Sequence, residues 1–248
     1  CALPILQLPD GTVLNDANGK ATTAKYATTT NDYRYLYKMY RSDPRLQAVH
    51  ERFAMIATWD DHEFSDDAWQ DAVTYENNSL DSAGNNIHNT TRRRSANQAW
   101  FEYMPADVNL DNANTSFQNI QIYRDFQFGK LMQLVMTDER LYRTDHVVPE
   151  SLMNPATGKP LNSSLGSRYI VPKDVFDALE GQKVTAATAM TGDPLNNTSM
   201  LGKTQRDWWK GKMSAATATW KVWGNEVSLL RMGLNGTDAI ATLIALNS

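Results

Sequence analysis

The 248-residue chain lacks the features that most readily assign a protein to a special class. It has one cysteine, Cys1, so no disulfide can form within the chain, and the cysteine content indicates no redox compartment. No apolar run approaches the ~20 residues of a membrane-spanning helix, and no signal peptide is recognisable. At a net charge of -4, the chain also lacks the basic character of nucleic-acid-binding proteins. We therefore expect neither a membrane span nor nucleic acid as the main partner.

The residues that are present predict a folded globular protein. Hydrophobic residues make up 42% and charged residues 21% of the chain, which also contains seven tryptophans and ten tyrosines. This composition is typical of ordinary globular proteins and argues against general disorder. The length suits one large domain or two small ones with a sizeable core. The sequence shows no internal repeat and does not indicate an oligomeric state.

Hydrophobic spacing and turn-forming residues predict a mixed α/β fold. Helices are predicted at 33–41, 44–52, 90–104, 173–179 and 202–216. Strands are predicted at 54–59 and 220–223, together with a hairpin formed by the apolar runs 120–126 and 130–136. Two regions rich in turn-forming residues lack such patterns: residues 1–30, expected to be an irregular segment, and residues 146–201, expected to be a long loop-rich insertion.

The most informative stretch is an acidic motif at the end of the predicted strand 54–59. Residues 59–67 read Trp-Asp-Asp-His-Glu-Phe-Ser-Asp-Asp, and we call them the motif loop. Buried strands usually avoid such charge, because carboxylates taken out of water without partners are costly. Ligands in open α/β sheets bind beyond the carboxyl ends of strands. The position of the motif loop therefore favours a functional site.

The residues of the motif loop alone leave two interpretations open. Asp60, Asp61 and Glu63 offer hard oxygen ligands beside the imidazole of His62, a combination that binds divalent or trivalent metal ions. His62 can also donate a hydrogen bond to an anion or a proton to a leaving group. Because adjacent strand residues point to opposite faces, we expect one of Asp60 and Asp61 to bind an ion and the other to be a structural partner. The second interpretation is a solvated surface turn.

A second charged stretch follows the second strand of the predicted hairpin. Residues 137–140 read Thr-Asp-Glu-Arg, and Arg143 follows three residues later. The forked guanidinium of Arg140 suits a phosphate contact, whereas an Asp-Arg salt bridge at the strand end explains the same residues. The consecutive arginines 92–94 are interpreted as a solvated helix start rather than a phosphate site, since consecutive residues point in different directions around a helix and cannot converge on one anion.

These motifs, in their order and spacing, resemble those of the PhoD-like alkaline phosphatases, a family of metallophosphoesterases. The matching segments are Asp-Tyr-Arg at 32–34, Tyr-Arg-Ser-Asp-Pro at 40–44, the motif loop, Gln-Ala-Trp-Phe-Glu-Tyr-Met-Pro at 98–105, Asp-Glu-Arg-Leu-Tyr-Arg at 138–143, and the region 201–222 with Gln205 and Trp208. The resemblance implies a two-sheet β-sandwich flanked by helices. It also implies hydrolysis of phosphate mono- or diesters by metal-activated water.

Residue by residue, the resemblance implies roles for the charged side chains. Asp61 corresponds to a metal ligand, with Asp60 as a further candidate, and His62 corresponds to the residue that faces the phosphate. Arg140 matches the arginine of the family's Asp-Thr-Arg segment and implies a phosphate contact, although Glu139 stands where threonine is usual. The residues expected to support these from a second layer are Glu63 and Asp138.

The resemblance also implies cofactors and a cellular context. The family uses calcium with iron, acts on small phosphate esters and is generally exported. Two family motifs that supply further metal ligands, Gly-Asp-x-Ile-Tyr upstream and Gly-Asp-x-His downstream, do not occur in the chain. We therefore interpret residues 1–248 as the central portion of one PhoD-like domain, incomplete at both ends and inactive alone. The alternative is a non-catalytic secreted module that binds calcium or has a structural role.

Overall fold

The computed structural model of the chain describes residues 8–15, 20–74, 79–150, 171–230 and 233. These residues form a mixed α/β fold, which confirms the predicted class. The helices are α1 Thr30–Arg41, α2 Pro44–Arg52, α3 Thr90–Tyr103, α4 Lys173–Thr191 and α5 Gly202–Ala215. The strands are β1 Thr12–Asn15, β2 Ala21–Tyr26, β3 Arg124–Phe128, β4 Met132–Met136 and β5 Trp220–Gly224. None of the described helices combines the length and apolarity that crossing a membrane requires.

Two small sheets contain the described strands. β1 and β2 form an antiparallel pair, and β3, β4 and β5 form a second sheet in that order. β3 and β4 are antiparallel, whereas β4 and β5 are parallel, with Met136 paired with Gly224. The segments that leave the carboxyl ends of β4 and β5 therefore lie side by side. The predicted hairpin and the predicted strand 220–223 are confirmed with small shifts in their bounds, while the two-sheet β-sandwich stays a prediction.

Polar side chains set the starts of the first three helices. Thr29 caps α1 by accepting a hydrogen bond from the Asp32 amide at 3.2 Å, and the Asp32 carboxylate accepts one from the Thr29 amide. Asp43 caps α2, and Asn89 caps α3 by accepting from the Arg92 amide at 3.0 Å. α1 then packs against α3. This packing places the first turn of α3 close to the motif loop.

Two hydrophobic clusters meet at α3 and hold the motif loop between them. Ala96 and Ala99 of α3 belong to the cluster that contains Phe64, and Trp100 belongs to the cluster that contains Trp59. The rings of Trp59 and Trp100 make an edge contact with centroids 5.2 Å apart. Trp59 and Phe64 stand on either side of residues 60–63. Full burial of a side chain such as that of Phe64 stabilises the fold by about 1.5–3 kcal/mol. The acidic residues are therefore anchored at both ends in the core.

The prediction of a strand at 54–59 is wrong for this structure. Residues 54–59 belong to no strand of either described sheet. Phe53, Met55 and Ile56 are exposed, as is Trp220 on the outer strand β5. The apolar run is typical of a buried strand, but a strand also needs a hydrogen-bonded neighbour, and the described residues provide none here.

The expectation that residues 1–30 are irregular is also wrong for the described part of that segment. Residues 12–15 and 21–26 form β1 and β2, with Thr12 paired with Tyr26. The Thr-rich run 21–26 lacks alternating apolar residues and so gave no strand pattern. Thr and Tyr nevertheless favour strands, because their branched or aromatic side chains suit a pleated surface.

The insertion 146–201 contains more helix than we predicted. The expected short helix at 173–179 continues as α4 to Thr191 and ends at Gly192, which has a φ of 73°. The hydroxyls of Thr185 and Thr188 donate to the carbonyls four residues earlier, each at 2.8 Å. Threonines that read as loop residues in the sequence are thus accommodated within the helix. The remaining part of the prediction, residues 151–170, lies outside the described residues.

Candidate active site

The motif loop folds into a turn that is held by hydrogen bonds from its own backbone amides. The Phe64 amide donates to the Asp61 carbonyl oxygen at 2.9 Å, and the Asp67 amide donates to Asp61 Oδ2 at 2.8 Å. The Asp60 amide donates to the Glu63 carboxylate at 2.9 Å. Burial raises the pKa of Glu63. These bonds set the course of the backbone through the acidic residues.

Asp61, His62 and Asp66 form a group that fits a metal ion. Each offers one ligand atom, and these atoms all lie within 4.8 Å of one another. His62 Nε2 lies 3.7 Å from Asp61 Oδ1 and 3.5 Å from Asp66 Oδ1, and the His62 side chain is 45% exposed. Carboxylate oxygens suit calcium, and carboxylates combined with imidazole suit iron. The donor set therefore fits both metals that the resemblance implies.

The structure places Asp60 outside this group, in an ion pair with Arg140. The Nε and Nη2 atoms of Arg140 donate to Asp60 Oδ1 at 2.9 and 2.6 Å, and Nη1 donates to Asp67 Oδ1 at 3.3 Å. The Arg140 side chain is only 7% exposed. All three nitrogens that could meet a phosphate thus face carboxylates. This geometry favours a role for Asp60 as a partner of Arg140 and for Arg140 as an anchor of the motif loop.

Asp67 lies at the centre of a cluster of cations. Its Oδ2 lies 3.0 Å from His146 Nε2, and its Oδ1 lies 3.9 Å from Arg143 Nη1. Burial raises the pKa of Asp67, but the contact with His146 and the charges of His146, Arg143 and Arg140 outweigh burial and hold the pKa at about 2. Asp67 is therefore ionised over the whole physiological range. Its charge stabilises the guanidinium of Arg140 in the position that meets Asp60.

The charged network continues from the motif loop to α4. His146 Nδ1 lies 3.6 Å from Asp145 Oδ1, and Lys183 Nζ lies 3.4 Å from Asp145 Oδ2. Burial lowers the pKa of His146, but its contacts with Asp145 and Asp67 outweigh burial and raise it. Negative and positive groups thus alternate from Asp60 to Lys183. Opposite charges at each step offset the cost of removing the inner members from water.

Asp138 connects the end of β4 to the motif loop beneath its surface. It is fully buried, and its Oδ1 accepts from Trp59 Nε1 at 2.9 Å and from the amides of Arg140 and Leu141 at 3.0 and 2.9 Å. Its own amide donates to Gln205 of α5 at 2.7 Å. Burial raises the pKa of Asp138. Asp138 therefore links the end of β4 to Trp59 of the motif loop through its own hydrogen bonds.

Two further acids, Glu139 and Glu226, join the parallel ends of β4 and β5. Glu226 Oε2 accepts from the Glu139 amide at 3.2 Å, and Glu139 Oε2 accepts from the Glu226 amide at 2.8 Å. Glu226 Oε1 also accepts from the Thr58 hydroxyl at 3.0 Å. Burial raises the pKa of Glu226 to about 10, and the charges of Asp138 and Glu139 act in the same direction. Glu226 is therefore neutral near pH 7.

Replacing Glu226 by glutamine should flatten the pH dependence of stability. The ordinary pKa of this carboxyl is 4.5 and its folded-state pKa is about 10. Between these values the unfolded chain releases a proton that the folded chain retains, so the free energy of unfolding falls as pH rises, by at most ~1.4 kcal/mol per pH unit. The glutamine side chain does not titrate, so Glu226→Gln removes this slope. Urea unfolding between pH 5 and 9 measures it; the exposed Glu51→Gln is the control, and an unchanged slope would contradict the prediction.

The arginines at the start of α3 are not the solvated helix start that we predicted. Arg92 and Arg93 are buried, at 4% and 1% exposure. Only Arg94 matches the prediction in part, since it lies nearer the surface and donates to the Ser116 carbonyl at 3.1 Å. The prediction failed because divergent directions around a helix do not imply exposure, and aromatic rings of the motif loop cover the first turn of α3.

Comparisons with known proteins agree with this architecture. A family model described as PhoD-like phosphatase matches residues 7–245. Alkaline phosphatase D of Bacillus subtilis (strain 168) is 27% identical over 232 residues, which is 93% of this chain and 32% of that protein. A solved structure of PhoD has a TM-score of 0.56 and 23% identity, covering 88% of this chain and 34% of that one. The chain thus spans about one third of the length of these relatives. Since the family match extends over nearly all of its residues, the chain belongs to the PhoD-like phosphatase family.

Proposed function

We propose that the chain contributes part of the active centre of a metal-dependent phosphoric ester hydrolase that cleaves small phosphate mono- or diesters. The observation that carries this proposal is the convergence of Asp61, His62 and Asp66 within 4.8 Å on an anchored turn. A solvated turn would need neither the buried aromatic residues on both sides nor the ion pairs behind it. Membership of the PhoD-like phosphatase family supports the same reaction class.

Asp61 and Asp66 are proposed to hold the ion and His62 to face the substrate. A bound cation would supply Lewis acidity, which makes water a nucleophile near neutral pH and offsets the charge of the phosphate ester. The half-exposed imidazole of His62 then donates a hydrogen bond to a phosphoryl oxygen or a proton to the leaving alkoxide. Arg140 acts through Asp60 and keeps the motif loop in place. Calcium with iron is the proposed metal content, because this donor set accommodates both.

The remaining metal ligands are proposed to come from other parts of the full-length protein. The chain covers 32% of alkaline phosphatase D of Bacillus subtilis, and the two proposed ligands, Asp61 and Asp66, are fewer than calcium or iron usually takes from its surroundings. The exposed residues at 53–56 and on β5 are consistent with further strands that would complete the proposed β-sandwich. By the same resemblance, we propose that the full-length protein is exported.

Hydrolysis of p-nitrophenyl phosphate and bis(p-nitrophenyl) phosphate by the full-length protein tests the proposal. We expect chelation to abolish turnover and calcium with iron to restore it. The 248-residue chain alone should show little or no turnover. Turnover that is insensitive to chelator would contradict metal dependence, and strong turnover by the chain alone would contradict a site shared with other segments. Calcium that raises the melting temperature without any turnover would favour the non-catalytic module.

His62→Asn is expected to separate catalysis from metal binding. General acid catalysis contributes about 100- to 10,000-fold, so kcat should fall by roughly 100-fold or more, while the Kd for the metal changes much less. Steady-state kinetics and isothermal titration calorimetry on the full-length protein measure the two effects. His50→Asn, in the last turn of α2, is the control and should change neither value. A loss of metal affinity that parallels the loss of kcat would identify His62 as a ligand instead.

A further inference from the structure

Two consecutive arginines of α3 lie beneath the motif loop and contact its aromatic residues, Trp59 and Phe64. Arg93 is 1% exposed, and its guanidinium carbon lies 4.5 Å from the centre of the Trp59 ring and 5.1 Å from that of Phe64. Among the described residues, no acceptor meets Nε or Nη1 of Arg93. The two ring faces, together with the nearby charge of Asp138, therefore hold this buried cation.

Arg92 fixes the backbone of the motif loop at Phe64. Its Nη2 donates to the Phe64 carbonyl oxygen at 3.1 Å, and the hydroxyl of Tyr33 donates to the same oxygen at 2.8 Å. Its Nε donates to the Ala27 carbonyl at 2.8 Å. The Arg92 guanidinium also lies 5.1 Å from the centre of the Phe64 ring. Both the backbone and the ring of Phe64 are thus tied to α3.

The contacts of Trp59 and Phe64 define where the acidic residues can lie. Trp59 meets Arg93 through its ring face and Asp138 through its Nε1, at 2.9 Å. Only four residues separate Trp59 from Phe64, and Asp61 and His62 are the middle two. A displacement of either aromatic ring would therefore move the carboxylate of Asp61 and the imidazole of His62 relative to the carboxylate of Asp66. Distances between ligand atoms decide whether one ion can contact them all.

We propose that Arg93, assisted by Arg92, is a positioning residue that holds Asp61 in the geometry required for binding a metal cation, with His62 beside it. This inference rests on the proposed function. The positioning role depends on the shape of the Arg93 side chain as well as on its charge, because a planar guanidinium can cover two aromatic rings and a lysine ammonium cannot. The structure thus assigns the first turn of α3 a part in the site, although it contributes no ligand.

Arg93→Lys in the full-length protein tests this proposal, with Arg94→Lys as the matched control. Both variants keep the charge, but the described contacts of Arg94 are with carbonyls of the loop 112–116 and not with the motif loop. Terbium luminescence, excited through nearby tryptophan, reports ion binding without any turnover. We expect Arg93→Lys to weaken terbium binding about 10-fold, comparable to other changes behind metal ligands, and Arg94→Lys to leave it unchanged.

Hydrogen exchange provides a readout that needs no metal. The amides of Phe64 and Asp67 donate within the motif loop, so Arg93→Lys should speed their exchange while amides of β4 and α5 keep their wild-type rates. If Arg93→Lys does not fold, Phe64→Leu removes one of the two rings and should cause the same changes to a smaller extent. Unchanged terbium affinity and unchanged exchange would overturn the proposal. Faster exchange in a protein that binds no terbium even as wild type would support the positioning role and contradict the proposed metal chemistry.

Discussion

Asp61→Asn in the full-length protein is expected to lower kcat/KM for p-nitrophenyl phosphate by about 100-fold or more. This loss is equivalent to about 2.7 kcal/mol of transition-state stabilisation. The substitution removes one negative charge from the group formed with His62 and Asp66. A hard cation binds the neutral amide oxygen more weakly than a carboxylate. Metal affinity should therefore fall together with turnover, and added metal should restore part of the lost activity.

The Asn variant is informative because it preserves the turn. Asp61 Oδ2 accepts from the Asp67 amide at 2.8 Å, and the amide oxygen of Asn can accept the same bond. The backbone bond from Phe64 to the Asp61 carbonyl does not involve the side chain. Loss of activity with an unchanged melting temperature would then identify the lost charge as the cause.

Asp207→Asn provides the matched control for this measurement. Asp207 is exposed on α5 in an i,i+4 ion pair with Lys203, and such surface pairs contribute only about 0.3–0.5 kcal/mol. We expect the control to retain wild-type kinetics and metal affinity. If Asp61→Asn kept both as well, the motif loop would be a solvated turn and the proposed hydrolase site would be wrong.

Asp138→Ala is expected to lower the free energy of unfolding by about 3–5 kcal/mol, because each unpartnered buried donor costs about 1–3 kcal/mol. The substitution leaves Trp59 Nε1 and the amides of Arg140 and Leu141 without the oxygen that accepts all three bonds. Asp138 connects the end of β4 with the motif loop, so its loss should destabilise the region that both share. Urea unfolding of the full-length protein at constant pH measures the change.

Asp138→Asn distinguishes the missing acceptor from the missing charge. Asn keeps an oxygen at the position of Oδ1, and burial already raises the pKa of Asp138, so the neutral form is less costly here than at the surface. We expect the Asn variant to lose only about 1 kcal/mol. A similar large loss in both variants would show that the negative charge itself, facing the buried Arg93, stabilises the fold.

The motif loop illustrates how far the sequence could be interpreted. Its acidic residues and His62 indicate a functional site, because carboxylates next to an apolar run conflict with a simple core pattern. The same reasoning named Asp60, and not Asp66, as the further metal candidate beside Asp61. Strand periodicity suggested only that Asp60 and Asp61 diverge, whereas the turn brings Asp66 back to Asp61 and His62. Hydrogen bonds from backbone amides close this turn, and residue types alone predict such bonds poorly.

His146 and the buried arginines illustrate what the sequence did not reveal. His146 lies in a region that reads as loop, and nothing in its neighbours indicates that it meets Asp67, 79 positions earlier in the chain. The arginines 92 and 93 have an ordinary exposed character in isolation. Their burial depends on aromatic rings that only the packing of α3 against the motif loop brings near. The sequence did contain a signal, since arginines three and four residues after a helix cap are unusual where the helix dipole favours acids.

The sequence by itself determined the chemistry that this protein has available: carboxylates and an imidazole in one short loop, an arginine after a second strand, and motifs that identify the PhoD-like phosphatase family. It did so because residue types and short spacings are local properties. The tertiary structure decided which groups share a site. It paired Asp60 with Arg140, 80 residues apart, joined Asp66 to Asp61 and His62, and placed Arg93 beneath them. The contacts of Asp60 with Arg140 and of Arg93 with Trp59 join residues far apart in the chain, and such contacts form only when the segments that carry them pack together.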